Sequence, residues 1–454
     1  MGRMVVHFAG EGSGIAELSW GQLEILGAME RQRTWMPLPY SQPVPAGTTV
    51  EDIADWLRYL MSTHQVLRTR LRFSVDGPPR QVLYGSGEIA VDVVEAGDED
   101  PLGVAQRMVD RHVEYFEHEF DFARDWPISL AAVVKDGVPV YRVITVCHIV
   151  WDAFGALAML ADLRQRDAAG GAPPKPSNAM APLEQARWQR SAAGQRHNEA
   201  VLRQWAESLR QMPARRFPAP VDRGEPRHWL LELVSPAIRL AIQVIRCRTR
   251  AGSAQVILTL FLVALARVTG INPSVARIAV NNRFRRGLAD SVSVTTQYGL
   301  CMVDVAGVTF DEALARVSRR VIATFKNAYY DPLRVAELVE RIGRERGEEL
   351  DIDCYYNDRR LSEEDKPVHD PPTPAEVSAA LSATTVSHEP LIRRSERLFL
   401  AVEEKPGSFR LTLEADTWFL SREAMVACAR AMEEVAVAAA LDPAVSPGPV
   451  VGLR

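Results

Sequence analysis

Residues 138–160 change from the periodicity of a strand to that of a helix within a few positions. Val138 to Val146 alternates in polarity and is rich in Val, Ile, Tyr and Thr, which predicts a strand. After Asp152 the apolar residues recur at helical spacing, and aspartate is a favoured N-cap because its side chain accepts hydrogen bonds from the free amides of a first turn. A strand that leads directly into a helix favours a mixed α/β arrangement. His148 lies in the short connection between the two elements.

Strand-like and helical segments also alternate on both sides of this junction. The predicted helices are 18–31, 50–63, 102–116, 184–211, 236–250, 253–269, 310–328 and a last helix from Ser421. The predicted strands are 67–74, 80–83, 128–134, 139–146, 228–235, 276–280, 298–305, 396–403 and 408–415, with a turn at 76–79. The predicted fold class is therefore α/β (α+β).

The length of 454 residues favours two domains. Residues 167–182 are rich in Ala, Gly and Pro and form the best candidate linker. We therefore predict an N-terminal domain at 1–166 and a C-terminal domain at 183–454. A second flexible stretch is expected at about 360–378, and because each half mixes strands with helices, we expect the two halves to be related.

Charge and hydropathy exclude several classes of partner. The net charge of −5 does not predict nucleic-acid binding, and short arginine clusters such as 283–286 are more often solvated surfaces. The N-terminus lacks the layout of a signal peptide. The longest apolar run, Val256 to Ala266, is too short to span a bilayer and predicts a buried helix. We expect a soluble, cytoplasmic protein, a monomer, without membrane or nucleic-acid partners.

The five cysteines are scattered without Cys-x-x-Cys pairs, which excludes a zinc ribbon and predicts no disulfide framework. Cys147 stands next to His148, so a cysteine nucleophile with a histidine base is one hypothesis. Successive side chains of a strand point to opposite faces. If His148 faces a cavity, Cys147 faces the core, and we therefore favour a buried thiol over a nucleophile.

Common catalytic motifs are absent from the sequence. There is no phosphate-binding Gly-rich loop, no Gly-x-Ser-x-Gly and no His-Glu-x-x-His. His148 and Asp152 together supply two potential metal ligands, but no third is evident, so no metal site is predicted. Sequence chemistry alone leaves two interpretations of His148, a structural histidine at a strand end or a base that works near neutral pH.

The segment Cys147-His148-Ile149-Val150-Trp151-Asp152-Ala153 resembles the His-His-x-x-x-Asp-Gly signature of condensation domains from nonribosomal peptide synthetases. The second histidine and the aspartate match His148 and Asp152. Cys147 stands in place of the first histidine, and Ala153 stands in place of the glycine.

Five further segments resemble the same family in the order that the family has them. They are LSWGQLEIL at 18–26, VLRTRLRFSVDGPPRQVL at 66–83, FDFARDWPI at 120–128, NNRF at 281–284 and YGLCMVDV at 298–305. Each segment by itself is weak evidence for the family, but five segments in the family's order, over nearly the whole chain from about residue 15, are specific evidence.

The resemblance implies two chloramphenicol-acetyltransferase-like halves in a V shape with a tunnel between them. His148 would lie within the tunnel and orient or deprotonate the acceptor amine or hydroxyl that attacks a donor thioester. Asp152 would pair with Arg283 from the other half and hold the loop that carries His148, and Cys147 would be structural. Trp151 and Ala153 would lie near the tunnel, where the extra methyl group of Ala153 could narrow it or mark lost activity.

The resemblance also implies the partners. Acyl or peptidyl carrier proteins would present the donor on a phosphopantetheine arm, and the enzyme itself would bind no cofactor. No adenylation segment and no attachment serine are evident, so we expect a freestanding condensation-type acyltransferase that acts in trans. Two alternatives stay open: a catalytically degenerate binding module that recruits a tailoring enzyme to a carrier-bound peptide, and an acyltransferase that uses coenzyme A thioesters.

Overall fold

The computed structural model describes residues 2–74, 77–168, 178–217, 223–360 and 370–446. The helices are α1 Trp20–Gln32, α2 Val50–Thr63, α3 Pro101–His118, α4 Ala153–Ala168, α5 Pro182–Arg190, α6 Ala192–Gln211, α7 Pro236–Thr249, α8 Ser253–Thr269, α9 Phe310–Lys326, α10 Pro332–Arg346, α11 Pro374–Ala380 and α12 Arg422–Leu441. The strands are β1 Gly2–Ala9, β2 Gly14–Glu17, β3 Pro37–Pro43, β4 Thr69–Ser74, β5 Gly77–Leu83, β6 Ser86–Glu95, β7 Ile128–Lys135, β8 Val138–Cys147, β9 His228–Ser235, β10 Ser274–Val280, β11 Gln297–Val303, β12 Cys354–Asp358, β13 Thr385–Pro390, β14 Leu398–Lys405 and β15 Ser408–Asp416. The predicted α/β class is confirmed.

The chain divides into two compact units. The first unit comprises Met1–His197 together with Asn281–Thr296, and the second comprises Asn198–Val280 and Gln297–Arg454. This division differs from the predicted one, which placed the boundary at 167–182. Residues 169–177 of the predicted linker lie outside the described residues. Helix α5 belongs to the first unit because it packs on β2, and Gln81 of the neighbouring β5 donates a hydrogen bond to the carbonyl of Pro182 at 3.2 Å.

The first unit contains a five-stranded sheet in the order β1-β6-β7-β8-β3 and a three-stranded sheet in the order β2-β5-β4. In the five-stranded sheet only β6 and β7 run parallel. Helix α3 covers one face, where Val143 and Ala131 join its apolar residues. On β8 the neighbouring Arg142 lies over the ring of Trp56 in α2 at 4.7 Å. Alternate side chains of β8 are thus covered by two different helices.

Strand β3 forms an edge of this sheet and was not predicted from the sequence. Its residues Pro37, Pro39 and Pro43 resemble a loop because proline has no N–H to donate to a sheet. All three prolines have odd residue numbers, whereas the backbone hydrogen bonds that join this part of the chain to β8 are made by the even-numbered residues Met36 and Val44. The prolines therefore point their nitrogen atoms away from β8, a device that also blunts an exposed sheet edge.

The second unit is built on a seven-stranded sheet in the order β11-β10-β12-β14-β15-β9-β13. One face packs against α7, α8, α9 and α12 in a large apolar core, and α6 and α10 contribute to a second cluster. Helix α8 is buried at 14 of its 17 residues, as the apolar run Val256 to Ala266 predicts. Among the described residues no single helix combines the length and hydropathy of a membrane span, although α7 and α8 reach that composition as a pair bent by 111°.

Three local predictions were wrong. The predicted helix 184–211 is two helices, because Ser191 has extended backbone angles and its hydroxyl accepts the Gly194 amide of α6 at 3.2 Å. Residues 77–79 of the predicted turn belong to β5, and residues 75–76 lie outside the described residues. Part of the expected flexible stretch 360–378 is helix α11, which Thr373 caps, and residues 361–369 lie outside the described residues.

Candidate active site

The turn that carries His148 is held at the end of β8 by both neighbouring strands. Cys147 pairs with Pro37 of β3, and the preceding Val146 pairs with Ile128 of β7. The Val150 amide donates to the Cys147 carbonyl at 3.0 Å, which closes a four-residue turn, and the His148 amide donates to the Met36 carbonyl at 3.2 Å. The backbone on both sides of the imidazole is therefore anchored.

Asp152 follows this turn and is the N-cap of α4. Its Oδ1 accepts a hydrogen bond from the Gly155 amide at 2.7 Å, and its carbonyl accepts the Ala156 amide at 3.0 Å. This is the N-cap arrangement that the sequence predicts, since it satisfies amides of the first helical turn that have no partner within the helix.

The Asp152 carboxylate also receives three hydrogen bonds from two consecutive threonines. The amides of Thr295 and Thr296 donate to Oδ2 at 2.9 Å each, and the Thr296 hydroxyl donates to the same oxygen at 2.9 Å, whereas the Thr295 hydroxyl donates to the Asn281 carbonyl at 2.6 Å. The side chain is 7% exposed. The sequence analysis did not identify these threonines, because 143 and 144 residues separate them from Asp152.

Arg283 supplies the countercharge. Its Nη2 donates to Asp152 Oδ1 at 2.9 Å, and its side chain is 9% exposed. The contact that we expect from the resemblance is therefore present, but it lies within the first unit, to which residues 281–296 belong. Burial by itself raises the pKa of the Asp152 carboxyl, but the Arg283 charge and the hydrogen bonds, led by that of the Thr295 amide, outweigh it and lower the pKa.

Backbone carbonyls surround the rest of the Arg283 guanidinium. Nη1 donates to the carbonyls of Leu288, Ala289 and Ser291 at 3.1, 3.2 and 2.8 Å, and Nη2 donates to that of Ser293 at 3.2 Å. A buried cation that is both paired with a carboxylate and hydrogen-bonded avoids much of the cost of burial. Arg283 thereby fixes the course of the whole 283–293 loop around Asp152.

Gly155 allows this loop to approach α4 closely. A Cβ atom at that position would lie 2.7 Å from the Ser293 carbonyl oxygen and 2.8 Å from the Trp151 Cβ. Such contacts are too short for any side chain, so α4 requires glycine here. The need for glycine at position 155 could not be predicted from the sequence, because the family resemblance concerns the nearby position 153, where Ala153 replaces the glycine of the signature.

Trp151 and Ala153 lie in opposite environments. Trp151 is 1% exposed, whereas Ala153, the first residue of α4, is exposed. Their predicted placement beside a tunnel stays a prediction.

Cys147 is fully buried, and burial raises the pKa of its thiol to about 12. Its Sγ donates to the Trp35 carbonyl at 3.3 Å. A thiol that is neutral near pH 7 and closed to solvent is a poor nucleophile. This environment agrees with the alternation of side chains along β8 and argues against the cysteine-nucleophile hypothesis.

Helix α4 is also tied to α2 through Asp162. The Tyr59 hydroxyl donates to Asp162 Oδ2 at 2.8 Å, and His64 Nε2 lies 3.2 Å from the same oxygen. These contacts hold the helix that follows the His148 turn. Within the described ranges no three His, Cys, Asp or Glu side chains form a group that could hold a metal ion.

Comparisons with known proteins identify the family of the chain. The family model of the condensation domain matches residues 34–365, and no curated protein matches the chain. The X-domain from teicoplanin biosynthesis superposes with a TM-score of 0.71 at 19% identity, covering 98% of this chain and 99% of that one.

Two further solved structures have similar folds. The condensation domain that mediates chain release from the enacyloxin polyketide synthase gives a TM-score of 0.68 at 20% identity, covering 94% of this chain and 83% of that one. The SgcC5 protein from Streptomyces globisporus gives 0.66 at 17% identity, covering 94% and 98%. At these identities the solved structures show a similar fold, whereas the family model matches most of the sequence itself. The chain belongs to the condensation domain family.

Proposed function

We propose that this protein is an acyltransferase that joins an acyl or peptidyl group, delivered as a thioester, to an amine or hydroxyl acceptor, so that the product is an amide or an ester. The observation that carries the proposal is the anchored turn that presents His148 between β8 and α4. A catalytic group must be held within a fraction of an ångström of its working position, and a turn bound on both sides meets that requirement.

The chemistry assigned to His148 is that of a neutral imidazole. As the acceptor nitrogen or oxygen attacks the thioester carbonyl, the ring accepts a hydrogen bond from the acceptor and takes its proton as a base, or orients the acceptor for attack. The new C–N or C–O bond forms, the C–S bond breaks, and the departing sulfur receives a proton. Cys147 takes no part in this scheme because its thiol is buried.

The donor would be presented on the phosphopantetheine arm of a carrier protein, as is general for condensation domains. Coenzyme A carries the same pantetheine arm, so a coenzyme A thioester is an alternative donor within the same proposal. Neither requires a cofactor bound to this chain.

His148→Ala tests this assignment. We expect acyl transfer from a panel of acyl N-acetylcysteamine thioesters to small amines and alcohols, measured by mass spectrometry, to fall by about 10²–10⁴-fold, the usual contribution of a general acid or base. His118, which is exposed in α3, provides the matched control, and His118→Ala is expected to keep the rate. Transfer by His148→Ala at the wild-type rate would exclude the assigned role.

A second candidate function is recruitment of a tailoring enzyme without catalysis. The specific observation in its favour is the fold likeness to the teicoplanin X-domain, which has also been solved in complex with OxyB, where the TM-score is 0.70. The changed motif positions Cys147 and Ala153 also favour it. Wild-type protein that transfers no acyl group in the panel, yet co-purifies with a tailoring enzyme on a carrier-bound peptide, would support recruitment over acyl transfer.

A further inference from the structure

Gln185 of α5 lies at the centre of a buried polar cluster that reaches the loop around Asp152. Its Nε2 lies 2.9 Å from each of three acceptors, the Met180 carbonyl and the hydroxyls of Ser291 and Ser293. Gln185 and Ser291 are 1% exposed, and Ser293 is fully buried. A buried amide is costly unless its hydrogen bonds are made, so a cluster of this kind strongly constrains the segments that it joins.

The serines close the cluster among themselves. The Ser291 hydroxyl donates to the Met180 carbonyl at 2.7 Å and lies 2.7 Å from the Ser293 hydroxyl. Side-chain bonds therefore hold residues 291–293 from one side. The backbone carbonyls of the same two serines hold Arg283 from the other side, at 2.8 and 3.2 Å.

A short chain of contacts leads from Gln185 to the His148 turn. Gln185 fixes Ser291 and Ser293, their carbonyls orient Arg283, and Arg283 pairs with Asp152, which lies between the turn and α4. The same Ser293 carbonyl abuts Gly155 in the first turn of α4, so a shift of this serine also displaces the helix start.

We propose that Gln185 is a positioning residue for His148, acting through Ser291, Ser293 and the Arg283–Asp152 pair. The expected loss of activity rests on the proposed acyltransferase function, whereas the structural coupling between Gln185 and His148 does not. Because small displacements of a catalytic group are costly, Gln185→Leu is expected to lower kcat by roughly tenfold to a hundredfold with little change in KM.

The test combines two readouts on the full chain. Histidine ring ¹³C-labelled protein is examined by NMR, with the His148 signal assigned by its loss in His148→Gln, and acyl transfer is measured in parallel. We expect Gln185→Leu to shift or split the His148 signal and to lower kcat. Ser293→Ala, a milder change that keeps the backbone, is expected to act in the same direction with a smaller effect.

Gln81→Leu is the matched control. Gln81 is also a fully buried amide and also bonds α5, but its Nε2 donates to the carbonyls of Glu17 and Pro182 and not to the 291–293 segment. The proposal is overturned if folded Gln185→Leu and Ser293→Ala leave the His148 signal unchanged, or if Gln81→Leu changes it equally. If wild-type protein transfers no acyl group, the proposed function fails, and the NMR comparison still decides whether Gln185 positions His148.

Discussion

The surroundings of Asp152 in the first unit and of α8 in the second unit are both buried, yet they are built from different interactions. Asp152 accepts hydrogen bonds from the backbone or side chains of Gly155, Arg283, Thr295 and Thr296. Helix α8 is surrounded by apolar side chains, and a hydroxyl such as that of Thr259 bonds a carbonyl of the same helix, that of Gln255, at 2.7 Å.

The two kinds of interaction are expected to control different properties: the geometry of the candidate site and the stability of the fold. Hydrogen bonds are directional and fix where a group points, whereas burial of apolar surface is non-directional and contributes in proportion to area. The polar cluster should therefore control the placement of the His148 turn, and the α8 layer should control the free energy of unfolding. Mutations at the two places are expected to separate these properties.

The largest effect is expected from breaking the buried ion pair. Asp152→Asn and Arg283→Met should each lower the free energy of unfolding by about 3–5 kcal/mol, because each leaves an uncompensated buried partner. The double variant should recover part of the loss, and acyl transfer should stay low in all three since the turn is misplaced. Denaturant melts measure the stability and the proposed transfer assay measures the activity.

The exposed pair of Arg107 and Glu99 is the control for this cycle. Their charged atoms are 2.6 Å apart, but the side chains are 58% and 62% exposed. Arg107→Met should cost about 1 kcal/mol or less. Strictly additive losses for Asp152 and Arg283 would show that their interaction is not what stabilises this region.

Truncation of Leu260 in α8 tests the other side of the comparison. Leu260 is fully buried, so Leu260→Ala should lower the free energy of unfolding by about 2–5 kcal/mol through lost burial and a cavity. Acyl transfer per folded molecule should be unchanged, and faster hydrogen exchange should be confined to peptides of the second unit. Leu441→Ala at a 45% exposed position is the control, with an effect within about 0.5 kcal/mol. Loss of transfer in folded Leu260→Ala would contradict the separation.

A smaller, pH-dependent effect is expected from His112 in α3. Burial lowers the pKa of His112 from 6.5 to about 4, and its Nδ1 lies 3.2 Å from the Thr145 hydroxyl on β8. Below pH 6.5 the unfolded chain takes up a proton that the folded chain does not, so stability falls as the pH drops from 6.5 to 4, by up to about 3 kcal/mol.

His112→Asn keeps a polar atom near Thr145 and removes the titration. The variant should therefore show a flatter dependence of the free energy of unfolding on pH between 6.5 and 4 than the wild type, measured by urea melts at several pH values. An equally steep dependence in His112→Asn would assign the effect to other groups.

Elements whose own residues carry a strong periodic pattern could be predicted. Helix α2 and strand β9 begin and end where the pattern indicates, and α8 is the buried helix that its apolar run predicts. In each case the signal lies in neighbouring residues, because side chains three or four apart share a helix face and side chains two apart share a strand face.

Elements that depend on distant partners could not be predicted. Strand β3 exists because β8 pairs with it, although its prolines argue locally against a sheet. The break at Ser191 splits a helix that the periodicity of 184–211 continues. The assignment of 281–296 to the first unit depends on contacts that span more than a hundred residues.

The candidate site shows the same division. The strand-to-helix junction, the place of His148 within it, and the capping role of Asp152 could all be predicted, because they follow from residue type and local spacing. The link between Asp152 and Arg283 followed from the family resemblance. That Thr295, Thr296 and Gln185 complete the cluster, and that position 155 must be glycine, became visible from the folded chain alone. Hydrogen-bond partners and close backbone approaches depend on which distant segments come together in the fold, and the periodicity of the local sequence contains no information about those contacts.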